Sequence, residues 1–392
     1  MPHRPPTDSS EALLRLLAAG GPVAPRRRLL EQHPSPGAAL DAGPPAWRRA
    51  GLDPDQVAVL AARRPADPRA LDWLQAPGHH LLGWHDPDYP ELLRRIPSPP
   101  LALFVAGDPA LLWHPAIAVV GSRHPTAGGR DNARLFARAF AASGLAVCSG
   151  LAAGVDAAAH EAALEAGGIT VAVLGSGIDV PYPRRHADLH MRIAATGAVA
   201  SEHPPGTPAR RGHFPCRNRI IAGLALGTLV VEAAERSGAL ITARFAAEAG
   251  REVFALPGSI HNPMARGCHR LIRDGAALVE SPDEVNAALA PVASTLGDAL
   301  RRRLGAPIPM AGSVGEDTTA PPPDDPRHQL LWSALGHDPI PMDVLAGRTG
   351  LTAAELSSML LVMELEGRVV CEHGRYSRKT SHTAPSGAGR GK

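Results

Sequence analysis

Apolar residues in the middle of the chain come in short runs at regular intervals. They stand at 116–120, 145–149, 169–174, 198–202, 227–231, 252–256 and 276–279, and stretches with helical spacing fill the gaps. Such runs suit strands buried on both faces, and strands alternating with helices build a parallel sheet covered on each side. The pattern predicts an α/β fold, a doubly wound parallel sheet lying within residues 83–290. Residues 101–105 predict a further strand leading into it.

The first of the seven runs ends in a marked turn. Ile117-Ala118-Val119-Val120 is followed by Gly121-Ser122-Arg123, and beyond His124-Pro125-Thr126 the residues Leu135, Phe136, Ala139 and Phe140 recur at helical spacing. This is a strand-to-helix turn, and in an open α/β sheet such turns lie at the carboxyl ends of the strands, where ligands bind. Free N–H groups at the helix start favour an anion, and Arg123 adds a bidentate donor suited to phosphate. A tight turn whose arginine points into solvent fits the same stretch.

Outside the sheet the periodicity is helical and interrupted. Residues 1–82 hold short helices broken by Pro and Gly, at 11–19, 26–32 and 56–63, behind a disordered leader at 1–9. They predict a small helical domain. His85-Asp86-Pro87-Asp88-Tyr89-Pro90 predicts a proline-bounded turn. Residues 291–326, with Pro321-Pro322-Pro323, predict a linker. Helical segments at 327–336, 341–347 and 353–366, then strand-like pieces at 368–371 and 375–377, predict a winged helix over 327–377. Thr352 followed by Glu355 is a capping box for its third helix. Residues 378–392 predict a flexible tail.

Small residues gather at the ends of the central strands: Ser149-Gly150, Gly175-Ser176-Gly177, Ser201-Glu202, Ser237-Gly238 and Pro257-Gly258-Ser259. Tight turns explain any one of them; five together predict a site along the top edge of the sheet, where a ligand approaches the backbone closely. Charge collects there as well. Between positions 184 and 219 stand seven arginines (184, 185, 192, 210, 211, 217 and 219) against only two acids, Asp188 and Glu202. A solvated face would mix signs, so this cluster predicts a phosphate-binding surface.

Composition narrows the chemistry. The net charge of +2 over 392 residues does not by itself announce a nucleic-acid partner. Lysine stands only at Lys379 and Lys392, and no Gly-x-x-x-x-Gly-Lys-Ser/Thr occurs, which excludes a P-loop NTPase. Gly175-Ser176-Gly177 lacks the rest of a dinucleotide fingerprint, since Pro181 and Pro183 stop a helix from starting at once. Cysteine and histidine never pair twice at zinc spacing, so no metal is expected. Asp156 and His160 share one helix face; an acid/base pair is conceivable, but loop and helix contacts are the favoured role. Aromatics at 4% speak against an extended base-stacking sheet. Four scattered cysteines, no signal-peptide core at the N-terminus and a longest apolar run (220–231) too short to span a membrane predict a soluble cytoplasmic protein.

The ordered series of motifs resembles the DNA-processing protein A (DprA, also called Smf) family of bacteria, which load RecA recombinase on single-stranded DNA. It runs from Tyr89 to about Val285 and includes Val120-Gly121-Ser122-Arg123, Gly154-Val155-Asp156, Tyr182-Pro183, Phe214-Pro215-Cys216-Arg217-Asn218-Arg219, Ser237-Gly238-Ala239-Leu240-Ile241-Thr242 and Gly267-Cys268-His269. The resemblance implies an extended Rossmann-like domain without catalytic residues or cofactors, a sterile-alpha-motif-like N-terminal module and a winged helix. It implies a DNA-binding pocket formed by Gly121, Ser122, Arg123, Arg184, Phe214, Arg217, Asn218, Ser237, Gly238 and Thr242. It further implies a homodimer through His269, Ile272 and Leu278, and a contact with RecA. The chain departs from the family where Arg184 and His186 replace a common Lys and Asn, which puts an amide contact at His186 in doubt. The expected third winged helix also carries Glu355, Glu364 and Glu366 without a basic residue, a poor surface for DNA. The rival reading is a nucleotide-processing Rossmann enzyme of the phosphoribohydrolase type, whose Pro-Gly-Gly-x-Gly-Thr loop is absent at 237–242.

Overall fold

Strands with no polar face must be covered on both sides, and that requirement shapes the molecule. The computed structural model describes residues 8–304, 326–335, 340–352, 355–356, 359–360, 363, 369–372 and 375–378. The chain forms two compact units, 1–307 and 308–392. The first contains strands β1 His79–Gly83, β2 Ala102–Gly107, β3 Ala116–Val120, β4 Ala146–Ser149, β5 Thr170–Leu174, β6 Ala198–Ser201, β7 Gly227–Val230, β8 Glu252–Ala255 and β9 Ala277–Leu278. Every residue of β3, β4, β5, β6 and β7 is buried. The seven strands from β3 to β9 coincide with the seven apolar runs.

The sheet order is β1-β2-β6-β5-β4-β3-β7-β8-β9. From β6 to β9 across the sheet all pairings are parallel. The chain walks outward from β3 through β4, β5 and β6, then returns to lay β7 on the other side of β3. Strand order therefore reverses between β3 and β7. β2 pairs antiparallel with β6, and β1 antiparallel with β2. β1 was not foreseen, and the division expected after residue 82 falls inside it.

Helices cover both faces. They are α1 Asp8–Ala18, α2 Val23–Glu31, α3 Pro36–Asp41, α4 Gly43–Arg49, α5 Pro54–Ala61, α6 Pro68–Leu74, α7 Glu91–Arg94, α8 Ala127–Ala142, α9 Val155–Glu165, α10 Ala187–Thr196, α11 His213–Leu224, α12 Ala239–Glu248, α13 Arg266–Arg273 and α14 Pro282–Leu304. Ile221 and Leu224 of α11 and Ala239 and Ala243 of α12 pack with Ala118, Val120 and Val230 on one face. Phe136 and Phe140 of α8, Ala158 and Ala162 of α9, and Val285 and Leu289 of α14 pack with Ile117, Val119 and Leu229 on the other. Each such Phe or Leu contributes roughly 1.5–3 kcal/mol by leaving water. The N-terminal helices share a core with Leu101 and Ala102, so they pack against the antiparallel end of the sheet. Buried Arg26 closes α1 by donating to Leu16 O and Leu17 O at 2.9 and 3.2 Å.

The linker expected from residue 291 is displaced. Helix α14 continues through Pro291 to Leu304, because Val285, Leu289, Ala293 and Leu296 recur at helical spacing and pack on the second core. That packing outweighs the single N–H that proline removes. Residues 305–325 lie outside the described residues, as do 1–7 of the leader and 379–392 of the tail.

The second unit holds α15 Pro326–Ala334, β10 Ile340–Pro341, α16 Met342–Thr349, β11 Val369–Glu372 and β12 Arg375–Arg378. Its strands pair in the order β10-β12-β11, around a core of Leu331, Trp332, Leu345, Leu356, Met363 and Val369. The capping box is formed: Glu355 N donates to Thr352 Oγ1 at 3.3 Å and Thr352 N to Glu355 Oε2 at 3.0 Å. Most of the third helix expected at 353–366 lies outside the described residues, Glu364 and Glu366 included.

Candidate functional site

The loop after β3 and the loop after β7 face each other where strand order reverses, the place where open α/β sheets bind ligands. A cavity of about 590 Å³ opens there. Gly121 and Arg123 line it from the loop after β3, Phe214, Arg217 and Asn218 from α11, Ser237 and Gly238 from the loop before α12, and Thr242 from α12 itself. Eight of the ten residues expected at the pocket thus meet in one cavity. The fold also brings in Tyr182, Arg211, Ala152 and Asp156. Tyr182 stands beside Pro183 in a motif and Arg211 in the arginine cluster, but sequence does not say which cluster members face inward.

The rim is cationic and aromatic. The Arg123 guanidinium carbon lies 5.7 Å from the centroid of the Phe214 ring. The Phe214 and Tyr182 rings are 5.3 Å apart, tilted by 42°. Arg123 is exposed, and its guanidinium has neither a hydrogen bond nor an ion pair among the described residues. Such a rim offers flat faces to a flat ring and a free positive charge to an anion.

The floor is polar and buried. Arg217 is 4% exposed, and its Nη1 donates to Val173 O at 2.6 Å. A side chain at position 150 would overlap the Arg217 guanidinium, so Gly150 is what makes room for it. Burial lowers the Arg217 pKa, opposed by the charge of Asp156. Asp156 Oδ2 accepts the N–H groups of Gly150 and Ala152 at 3.1 and 3.4 Å; burial raises its pKa, and Arg217 opposes the rise. Asn218 Nδ2 donates to Gly238 O at 3.2 Å, tying α11 to the loop before α12. His160 Nδ1 donates to Thr170 Oγ1 at 2.6 Å, and that hydroxyl donates to Val147 O at 2.8 Å. Burial pushes the His160 pKa down to about 3. Asp156 and His160 therefore hold loops and strands, the role favoured from sequence.

Several expectations are redirected. The anion at the start of α8 is the protein's own: Glu232 Oε2 accepts Thr126 N at 2.9 Å, and Oε1 accepts Thr126 Oγ1 at 2.7 Å. Ser122 is buried and does not line the cavity; its Oγ accepts His124 N at 3.1 Å and donates to Met264 Sδ at 3.6 Å. Arg184 is exposed on the 3₁₀ turn Arg184–His186, outside the cavity lining. His186 Nδ1 donates to Leu151 O at 2.9 Å and so secures a loop residue with φ of 57°.

The arginine cluster also divides. Arg219 grips Glu202 with two bonds of 2.7 Å and donates to Ser98 O at 2.8 Å. Burial pushes the Glu202 carboxyl up, but Arg219 outweighs it and holds the pKa below the usual range. Arg192 lies 3.8 Å from Asp188. Arg184, Arg185, Arg210 and Arg211 remain exposed. Fewer cations face solvent than the sequence count suggests, because two of the seven turn inward.

On the far side of Ser237 and Ile241 lies a second cavity of about 630 Å³. Arg236, Arg244, Arg251 and Arg270 stand there with Glu235, Glu252 and Asp274, so the two signs are mixed, and Arg270 is paired with Asp274 at 3.5 Å. Nearby, His269 Nε2 donates to Gly258 O at 2.9 Å, and Ile272 is half-buried against the core. Leu278 is 47% exposed on the edge strand β9.

A Rossmann-like domain with a cationic, aromatic cavity at the strand reversal, in one chain with a winged helix, defines a recognisable class of two-unit proteins. Residues 80–290 match the family described as DNA recombination-mediator protein A, and residues 315–375 match the DprA winged helix domain. Protein Smf of Escherichia coli (strain K12) is 42% identical over 310 residues, covering 79% of this chain and 80% of that protein. The X-ray structure of DNA processing protein A from Streptococcus pneumoniae superposes with a TM-score of 0.63 at 36% identity, covering 72% of this chain and 98% of that one. DNA processing protein A from Helicobacter pylori, known for its single-stranded DNA binding mode, gives 0.50 at 27% identity and covers 54% and 96%. The chain belongs to the DprA/Smf family of DNA-processing recombination mediators. No helix among the described residues is long and apolar enough to cross a membrane.

Proposed function

We propose that the cavity holds single-stranded DNA and that the protein, as a homodimer in the cytoplasm, loads RecA recombinase on incoming or processed strands. One observation carries the DNA reading. Arg123, with no hydrogen bond or ion pair among the described residues, lies over the Phe214 ring beside Tyr182 at the strand reversal. Such a rim stacks a base and grips a phosphate, whereas a stacked duplex presents no free base face to it. The single-stranded DNA binding mode of the Helicobacter pylori relative supports the same reading. The exposed Leu278 on an open edge strand supports self-association, since such edges invite pairing or cover.

The protein acts on this reading without catalysis. Asp156, the acid on the cavity floor, is bound by two backbone N–H groups rather than poised for proton transfer. Incubation with nucleoside monophosphates tests the rival enzyme: released free base would support it.

The decisive measurement is anisotropy of labelled single strands and duplexes of equal length. Single strands should bind more tightly, and log affinity should fall with log salt by ~0.7 per phosphate neutralised. Equal duplex binding, or no salt dependence, would overturn the DNA reading. RecA filament assembly on the same strands, with and without the protein, tests loading separately.

A further inference from the structure

Glu232 lies at the strand reversal, one residue beyond Val231, whose N–H donates to Val120 O at 3.1 Å. Its side chain reaches across to the first turn of α8, 8% exposed overall. One oxygen accepts Thr126 N and the other accepts Thr126 Oγ1, while Thr126 Oγ1 itself accepts Gly129 N at 3.0 Å as the cap of α8. Asn262 Nδ2 donates to the second oxygen at 3.3 Å. A side chain at position 129 would overlap the carboxylate, so Gly129 leaves the space it fills.

The carboxylate therefore joins three loops. The first carries Gly121 and Arg123, the second leads to Ser237 and Gly238, and the third runs from Gly258 to Asn262. Two of these are walls of the cavity. A buried anion at a helix N-terminus is stabilised by the helix dipole and the free N–H groups, the same features that would attract a phosphate.

We propose that Glu232 is a positioning residue of the binding site: its carboxylate occupies the anion place at the start of α8 and holds the Arg123 loop. Nucleic-acid phosphate is thereby kept from the helix end and directed to the guanidinium of Arg123 on the rim. The binding half of this inference rests on the single-stranded DNA reading above; the anion half does not.

The test uses the full chain with Glu232→Gln, Glu232→Ala, Arg123→Ala and the double variant Arg123→Ala/Glu232→Gln. Glutamine keeps the shape and one acceptor oxygen but loses the charge. Affinity for a labelled oligothymidylate should fall in Glu232→Gln. The two substitutions should be coupled, the double variant binding about fivefold or more tighter than independent losses would give. A merely structural Glu232, acting away from Arg123, would give losses that multiply, and that result overturns the positioning role.

A second measurement needs no DNA. Sodium sulfate should raise the melting temperature of Glu232→Ala well beyond its effect on the wild type, because sulfate refills the vacated place. Equal shifts in both would overturn the anion assignment. Should wild-type protein fail to bind the oligonucleotide, the DNA reading falls together with the positioning role, and the sulfate comparison still decides the anion assignment.

Discussion

Arg123 and Phe214 line one cavity from separate elements, and the guanidinium carbon lies 5.7 Å from the ring centroid. Arg123 stands just beyond β3 and Phe214 near the start of α11. The pair combines the two contacts a single strand requires, a cation for phosphate and a ring for a base.

Arg123→Ala should lower single-stranded DNA affinity roughly tenfold to a hundredfold, the worth of a hydrogen bond to a charged group. Arg123→Lys should recover part of it, since an ammonium keeps the charge without the planar fork. The melting temperature should hardly move, because the guanidinium is exposed and has no hydrogen bond or ion pair among the described residues. Anisotropy and thermal scans on the same samples check both statements. Undiminished binding by a folded Ala variant would remove Arg123 from the site.

Phe214→Ala removes the ring on which Arg123 and Tyr182 converge. Base–aromatic stacking is worth about 1–3 kcal/mol per base, so affinity should drop by roughly fivefold to 150-fold. Phe214→Tyr should bind nearly as the wild type does. Equal losses for Ala and Tyr would show that the ring's shape, rather than its face, matters.

Arg217 should behave differently although it belongs to the same motif. Its Nη1 is bonded to Val173 O beneath the cavity. Arg217→Met should cost about 1.5–3 kcal/mol of stability, the range for a hydrogen bond to a charged group. Urea denaturation measures that cost, and binding corrected for the folded fraction should fall less than in Arg123→Ala. Full stability with lost binding would instead give Arg217 a direct grip on DNA.

Acid should weaken the fold through His160. An unfolded histidine takes its proton near 6.5, but folded His160 holds out to about 3, chiefly because burial disfavours the charge and then because Arg217 and His186 repel it. Between those values the unfolded chain binds more protons, so stability is lost as pH falls below 6.5, by up to about 1.4 kcal/mol per pH unit. Urea midpoints taken between about pH 7 and 5 should show the slope, and His160→Gln should flatten it. An unchanged slope in that variant would assign the acid sensitivity elsewhere.

Leu278→Glu places a charge on the open edge strand at a site already 47% exposed. The variant should fold with a melting temperature close to the wild type and sediment as a monomer, with weaker DNA binding. Unchanged dimers in sedimentation velocity, or a monomeric wild type, would remove this edge as the dimer surface.

The alternation of apolar runs and helical stretches determined the parallel core of the sheet. A strand buried on both faces has to be apolar throughout, so its signature is local and survives in sequence. The turn at Gly121-Ser122-Arg123 was legible for a similar reason, since its position after the first run puts it at the carboxyl end of a strand. Tertiary structure decided the rest. The arginines at 217 and 219 look alike in sequence to the one at 211. The first two turn inward because Val173 O and Glu202 lie where the helix delivers them, while Arg211 is exposed and lines the cavity. Strand β1 depends on a partner that begins at Ala102, and α14 passes Pro291 because the sheet's second face waits for its apolar side. Most telling is the start of α8, where the local residues promised a place for a ligand's phosphate. Glu232, 106 residues away from Thr126 in sequence, already fills it. Hydrogen-bond partners and charges that meet only when strand order reverses leave no periodic trace along the chain, and only the folded sheet brings them together.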